Sequence, residues 1–272
     1  MAVSDISITA GMRSNLLQLQ ETSKLTTRTQ TRLASGKEVN SALDNPTNYF
    51  AAQSANQRAT DLSDKKDNMS EAVQTVQAAN AGITAITGLV SAAKGLAQSA
   101  LSTSDTVTQS KLSVQYNTVR SQIDNLSSDS GYRGLNLLSS NNTLTVNFNE
   151  NNSSKLNVVG FLANSGGLSL SAASNAWQAA SDITTDAAKL DTALSTLRSN
   201  TQTLAANLNI ITNRQTFTDS MINTLQTGAD NLTLADMNQE GANMLALQTR
   251  QQLSTQSLSM SSQAAQSVLK LF

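Results

Sequence analysis

The stretch Arg32-Leu33-Ala34-Ser35-Gly36-Lys37-Glu38-Val39-Asn40-Ser41-Ala42-Leu43-Asp44-Asn45-Pro46 decides how this chain is read. An amphipathic segment enters from the N-terminal side and reaches Gly36, the residue type that takes a left-handed helix C-terminus at no steric cost. A second segment begins beyond it. Asp44 offers the short acceptor side chain of a helix N-cap. Pro46 suits the first turn of a helix, where a missing N–H costs nothing. The stretch predicts helix, linker, helix, with Arg32, Gly36, Asn40 and Asp44 as its key positions. Taken alone, this chemistry would serve any connector between two helices.

Composition narrows what the flanking segments do. The chain has 272 residues, 39% of them hydrophobic, which is enough for one or two domains with an apolar core. With 3% aromatic residues and one proline, long helices meet little interruption. Cysteine and histidine are absent, so no disulfide, thiolate nucleophile, imidazole base or Cys/His zinc site is available, and no cofactor is expected. A formal net charge of -1 gives no electrostatic footprint for nucleic acid, which leaves protein as the expected partner. No run approaches the roughly 18 consecutive apolar residues of a membrane span. Met1 to Asn15 lacks the apolar core of a cleaved signal. These features by themselves predict a cytoplasmic protein.

Hydrophobic periodicity predicts a mainly α fold, a long antiparallel helical bundle or coiled coil. Alternating steps of four and three from Ile183 meet Ala187, Leu190, Leu194, Leu197, Leu204, Leu208, Ile211, Ile222 and Leu225, with interruptions only at Thr201, Gln215 and Thr218. Leu112, Tyr116, Val119, Ile123 and Leu126 follow the same repeat. A third helix is read from Met69, Val73, Val76, Ile83, Val90, Ala97 and Leu101, a phase that also takes in Asn80, Thr87 and Lys94. Gly82, Gly88 and Gly95 would weaken that helix by about 1 kcal/mol each relative to alanine, and close packing is the use expected of them. Between the helices the period changes to two. Leu144, Val146 and Phe148 alternate with polar residues, turn-formers follow, and Leu156 and Val158 resume the alternation. This predicts a β-hairpin near 143–159 whose apolar face must pack on the bundle, since a lone hairpin is marginal in water. Asn164 to Gly167 reads as a loop.

The two ends form a separate pair of terminal helices. Ile6, Ile8, Met12, Leu16, Leu19 and Leu33 mark the first. Met237, Met244, Leu247, Leu258, Ala265, Val268 and Phe272 mark the second, on a heptad phase that includes Glu240, Gln251, Ser254 and Ser261. From Asn231 onward the only charged residues are Asp236, Glu240, Arg250 and Lys270, so little charge solvates this helix and partners are expected. The boundaries drawn are 1–43 for the N-terminal half of an inner domain with its linker, 44–230 for the bundle, and 231–272 for the C-terminal half. The candidate assembly residues are Ile6, Met12, Leu16, Leu19 and Leu33 with Met237, Met244, Leu247, Leu258, Ala265, Val268, Leu269 and Phe272.

Three stretches together carry a family resemblance. Arg32 to Asp44 resembles the end of the N-terminal helix and the linker of bacterial flagellin, whose usual form is Arg-Leu-Ser-Ser-Gly, then Asn-Ser-Ala, then Asp. Tyr132-Arg133-Gly134-Leu135-Asn136-Leu137-Leu138 is similar to the family's aromatic-Asn-Gly-x-Asn-Leu-Leu turn. Leu234-Ala235-Asp236 with Glu240, and Gln266 to Phe272, are similar to its C-terminus. Asn45-Pro46 departs from the usual Asp-Ala after the first Asp, and Glu38 stands at a commonly basic position. The resemblance implies a minimal flagellin with only the two inner domains. Such a subunit polymerises with copies of itself, the terminal helices lining the filament tube. It also implies export through the flagellar type III apparatus to an extracellular filament, which reverses the cytoplasmic reading. An export chaperone, the filament cap and hook-junction proteins would be its partners. The hook-filament junction protein shares the terminal motifs and is the alternative. An enzyme displayed on a filament would need a catalytic insertion, and a His-Glu-x-x-His protease needs histidine.

Other motifs reduce to plain readings. Ser91-Ala92-Ala93-Lys94 matches Ser-x-x-Lys, but so do Ser63 with Lys66 and Ser267 with Lys270, and the companion motifs are missing. Asp61, Asp64 and Glu71 stand on successive turns among Lys65 and Lys66, a solvated face without calcium-loop spacing. Met237, Met244 and Met260 are read as packing residues. No catalytic or metal-binding residue is assigned.

Overall fold

A computed structural model describes residues 10–269, with side chains through residue 267. The elements are α1 (Ala10–Ser35), α2 (Pro46–Leu101), α3 (Thr106–Asp129), β1 (Thr143–Asn147), β2 (Lys155–Val159), a short 3-10 turn (Ser174–Trp177), α4 (Ala180–Thr233) and α5 (Met237–Leu269). The fold is mainly α with one antiparallel two-stranded sheet, as the periodicity implies. Two compact units form. Met1–Gln57 with Thr224–Phe272 is the first, and Arg58–Asn223 the second. Their limits lie inside α2 and α4, whereas the expected boundary at 43/44 falls in the linker between α1 and α2, and that at 230/231 falls in the last turn of α4, a few residues before its break at Leu234 to Asp236.

The second unit is built on a dry seam. Ile183, Leu190, Leu194, Leu197, Leu204 and Ile211 of α4 are buried, as are Tyr116 and Ile123 of α3. The seam of α2 keeps one row of the expected phase, Met69, Val76, Ile83, Val90 and Ala97, and shifts the other by one residue. Its buried positions are Met69, Ala72, Val76, Ala79, Ile83, Ile86, Val90, Ala93, Ala97 and Ala100, whereas Asn80 and Leu101 are exposed and Val73, Thr87 and Lys94 only partly covered. Alanine carries half of this stripe, and the spacing of bulky aliphatics alone does not reveal it. Small side chains let helices approach closely, and dispersion contacts then fill the interface. Gly82 belongs to this close approach, because an added Cβ would overlap the Ser130 hydroxyl and the Leu138 side chain. Gly88 and Gly95 have open space beside them, so close packing does not explain them. An 18-residue window of α2 reaches a mean hydropathy of 1.2, and the same helix supplies this buried stripe.

The hairpin pairs Leu144 with Val158 and Val146 with Leu156. Val146, Phe148 and Val158 join the core, while Thr145 and Asn157 meet on the exposed face, the Thr145 hydroxyl donating to Asn157 Oδ1 at 3.1 Å. The Arg214 guanidinium stands 5.2 Å from the Phe148 ring centroid. At the turn after α3, Arg133 (φ 46°) and Gly134 (φ 84°) are left-handed, and Tyr132 and Leu135 exchange backbone hydrogen bonds. The Asn136 amide donates to the Ser127 and Ser128 carbonyls, which the end of α3 leaves free, and thereby directs Leu137 and Leu138 into the core.

A polar cluster in this core has no signature in the sequence pattern. Asn175, Ala176 and Trp177 are three successive non-glycine residues with φ between 49° and 60°, each costing about 1–2 kcal/mol in that conformation. The turn is held by burial of Trp177, whose indole Nε1 donates to the fully buried Asp186 carboxylate at 2.8 Å. Lys189 Nζ donates to the same carboxylate at 3.1 Å, which pairs the buried charge. The Tyr116 hydroxyl donates to the Ser171 carbonyl at 3.0 Å, and its ring lies 4.9 Å from that of Trp177. Burial, reinforced by the Asp186 charge, pushes the Tyr116 phenol up to about 12.

Candidate assembly surfaces of the terminal helices

In the first unit α1 packs along α5. Its seam is made largely of threonine, with Thr22, Thr26 and Thr29 buried opposite Glu240 and Leu247. Thr22 donates to the Gln18 carbonyl and Thr26 to the Thr22 carbonyl, each at 2.8 Å, so the hydroxyls are satisfied within their own helix.

The linker is a hydrogen-bonded structure. Gly36, at φ 69°, closes α1 through its N–H to the Arg32 carbonyl at 2.8 Å. Beyond it the chain pairs with the connection between α4 and α5: Glu38 N–H donates to Thr233 O at 2.7 Å and Ala235 N–H to Gly36 O at 3.0 Å. Asp44 does not cap α2. Its Oδ2 accepts from the Asn40 and Ser41 amides at 3.1 and 2.9 Å and from the Ser41 hydroxyl, closing the linker turn, while the Asn40 amide donates to Lys37 O at 2.8 Å. Slight burial raises the Asp44 pKa, but the Ser41 and Asn40 hydrogen bonds outweigh it and hold the carboxyl below its usual value. The turn therefore gains stability above the ordinary carboxyl range and loses it as pH falls through the lowered value. The cap is Asn45, whose Oδ1 accepts from Asn48 N–H at 3.1 Å. Pro46 at the first helical position requires this, because the residue preceding a proline is extended, as a cap must be.

Arg32 joins these parts. Its guanidinium pairs with Glu240 of α5 at 2.8 Å and with Glu38 at 3.4 Å, which explains an acid at position 38.

The candidate assembly residues divide by face. Met12, Leu19, Leu33, Met244, Leu258 and Ala265 are half-buried and Leu247 buried along the α1–α5 seam, with Leu16 38% exposed beside a groove of about 380 Å³ that Met12 and Leu258 also line. Met237 and Met260 are exposed in the single chain, so any packing they do is against a neighbouring one. Ile6, Ile8 and Phe272, and the side chains of Val268 and Leu269, lie outside the described residues. On α1 and α5 themselves, the apolar side chains most open to solvent are others. Leu245 (67%), Leu253 (66%) and Met260 occupy the α5 face turned away from α1, and Leu17 (62%) is similarly open on α1. Their separations of eight and seven residues share a helical face, which a search restricted to the heptad seam passes over.

The first unit is thus a helix pair with threonines and apolar residues along its seam and further apolar side chains left exposed outside it. Residues 6–143 match the family described as the bacterial flagellin N-terminal helical region. The Caulobacter vibrioides flagellins FljM and FljK are each 29% identical over 100% of this chain and 100% of their own. A flagellin of Brucella melitensis is 27% identical over 94% of this chain and 95% of its own. Among solved structures, Bacillus cereus flagellin aligns with 56% of this chain and 88% of that one at 16% identity and a TM-score of 0.49. The chain belongs to the bacterial flagellin family and is a structural subunit of the flagellar filament.

Proposed function

We propose that this subunit assembles through its first unit, with α1 and α5 forming a preassembled pair whose outer apolar face is covered by neighbouring copies. The observation that carries this is the exposure of Leu17, Leu245, Leu253 and Met260 on helices whose mutual seam is already occupied. At about 25 cal/mol per Å² of apolar surface removed from water, a contact repeated along a polymer offsets the ordering of the helices it buries. Open head-to-tail contacts of this kind generate helical filaments. The candidate residues Met12, Leu16, Leu19, Leu33, Met244, Leu247, Leu258 and Ala265 would serve assembly by setting the shape of the pair, and Ile6, Val268, Leu269 and Phe272 by extending it. Arg32, Gly36, Asn40 and Asp44 would hold the linker at its upper end. The domain division at 43/44 and 230/231 then separates an inner tube from the bundle, which forms the outer wall.

The work is mechanical and assigns no residue a catalytic role. Export through the flagellar type III apparatus, and contacts with an export chaperone, the filament cap and hook-junction proteins, follow from the resemblance in the linker and the C-terminus. Electron microscopy of the purified chain under polymerising conditions tests the reading. Helical filaments with the first unit innermost are expected. A chain that stays monomeric at every concentration and salt condition, with and without seeds, overturns it.

A further inference from the structure

The charge of the first unit is divided between two regions. On α1 and α5, Arg13, Lys24, Arg28, Arg32 and Arg250 stand against only Glu21 and Glu240 among the described residues. In the linker, the end of α4 and the connection that follows it, Lys37 stands against Glu38, Asp44, Asp230 and Asp236. A cavity of about 270 Å³ opens in the basic region, lined by Arg28, Arg32 and Arg250 with Glu240 as its one carboxylate. Glu240 is engaged by Arg32. Arg28 and Arg250 have no ion-pair partner among the described residues, and the Arg32 Nε is buried without a hydrogen-bond acceptor. Arginines that line one cavity suit a carboxylate, which accepts two parallel N–H bonds from a guanidinium.

The acidic region holds a matching group. Asp44 is occupied by the linker turn, Asp236 accepts from the Asn238 and Gln239 amides at the start of α5, and Glu38 pairs with Arg32. Asp230 is exposed and has no ion pair among the described residues. It lies in the last turn of α4, where free carbonyls give the helix end a partial negative charge that disfavours a carboxylate. A cation from elsewhere relieves that.

We propose that the Arg28–Arg250 cavity receives the Asp230 carboxylate of a second copy, an electrostatic contact that sets the register of neighbouring subunits. The inference rests on the filament reading above. A basic cavity and an acidic side chain at different places on one unit make a heterologous contact between copies, the kind that builds an open polymer. Such pairs govern association rate and register more than total affinity.

The test is seeded elongation, with sheared wild-type filaments as seeds and light scattering as the readout. Arg28→Glu with Arg250→Glu places like charges opposite Asp230 and is expected to raise the critical concentration about tenfold. Asp230→Lys is expected to do the same, and all three substitutions in one chain, elongating on their own seeds, to return it to within about twofold of wild type. Wild-type elongation is expected to slow between about 50 and about 500 mM salt, and that of Arg28→Gln with Arg250→Gln to respond less. Circular dichroism of each monomer checks that folding is retained. Wild-type chain that elongates while the reversals do too, or a triple variant no better than its parents, overturns the pairing and leaves the filament reading intact. Wild-type chain that does not elongate at all overturns the filament reading and this inference with it.

Discussion

The seam of the second unit and the seam of the first solve the same problem with different residues. Along α4, Ile183, Leu190, Leu197 and Ile211 are 0% exposed, and the facing stripe of α2 is alanine, valine and isoleucine. Along α1 the corresponding buried positions are Thr22, Thr26 and Thr29. The bundle turns its apolar side chains inward and completes its own core. The terminal pair buries hydroxyls that return to their own helix and leaves Leu17, Leu245 and Leu253 in water. Isolated helices gain little from propensity alone, so most of their stability comes from packing. In the proposed assembly a pair arranged this way draws it from other chains.

The largest effect that would break this comparison is separation of assembly from folding. Truncation after Ser257 removes Leu258, Met260 and Ala265 but nothing from the bundle, and Leu253→Asp places a charge on the outer face. Both are expected to abolish filament formation while the thermal unfolding of the bundle moves by less than about 2 °C. Paired sedimentation and circular dichroism measure this. Normal filament yield from the truncated chain would show that the C-terminal helix is not an assembly element.

Much of the bundle is legible in the sequence because bulky aliphatics recurring at heptad spacing mark a buried helix seam, and the Ile183 to Leu225 stripe is the clearest case. The second row of the α2 seam is not, because Ala72, Ala79, Ala93 and Ala100 are of a type as common on exposed helix faces as in cores. Gly36 and Pro46 announce the ends of two helices. Asp44 and Asn45 are both competent caps, and only the constraint that Pro46 puts on its neighbour separates them. Asp186 gives no signal, since an aspartate in the first turns of a helix usually faces water, and its partners Trp177 and Ser171 are set by a left-handed turn. The exposed leucines of α5 are invisible to heptad periodicity, which marks what a helix buries, whereas the proposed assembly draws on what it leaves out.

A second effect concerns the bundle alone. Leu190→Ala deletes a fully buried side chain and is expected to cost about 2–5 kcal/mol, read from denaturant unfolding, while leaving the terminal pair unaffected. Loss of α1 amide protection by the same variant would show that the two seams are one cooperative system. High pH sharpens the same division. The Tyr116 phenol rises to about 12 from an ordinary 10.0, so folded chain stays protonated where unfolded chain ionises. Stability is complete below pH 10 and declines as pH approaches 12. The last of the three steps in tyrosinate absorbance and the change in Trp177 fluorescence are expected to occur together in that window. Ionisation of all three tyrosines ahead of the fluorescence change would place Tyr116 outside the core.

The smallest effect tests the threonine seam itself. The Thr26 hydroxyl donates to the Thr22 carbonyl, an acceptor that the helix backbone already uses, so removing the hydroxyl leaves no buried group without a partner. Valine has nearly the same shape, shares the β-branch that restricts the rotamer, and adds a methyl to the α5 interface. Thr26→Val is therefore expected to change the stability of the α1–α5 pair by less than about 0.5 kcal/mol, in the stabilising direction, as read from hydrogen exchange of the α1 amides. A loss above about 1 kcal/mol would mean that the hydroxyl makes a specific contact across the seam and that the polarity of this surface is required. A clear gain together with slower filament disassembly would mean the opposite: threonine keeps the pair weak enough to rearrange when neighbouring subunits close over it.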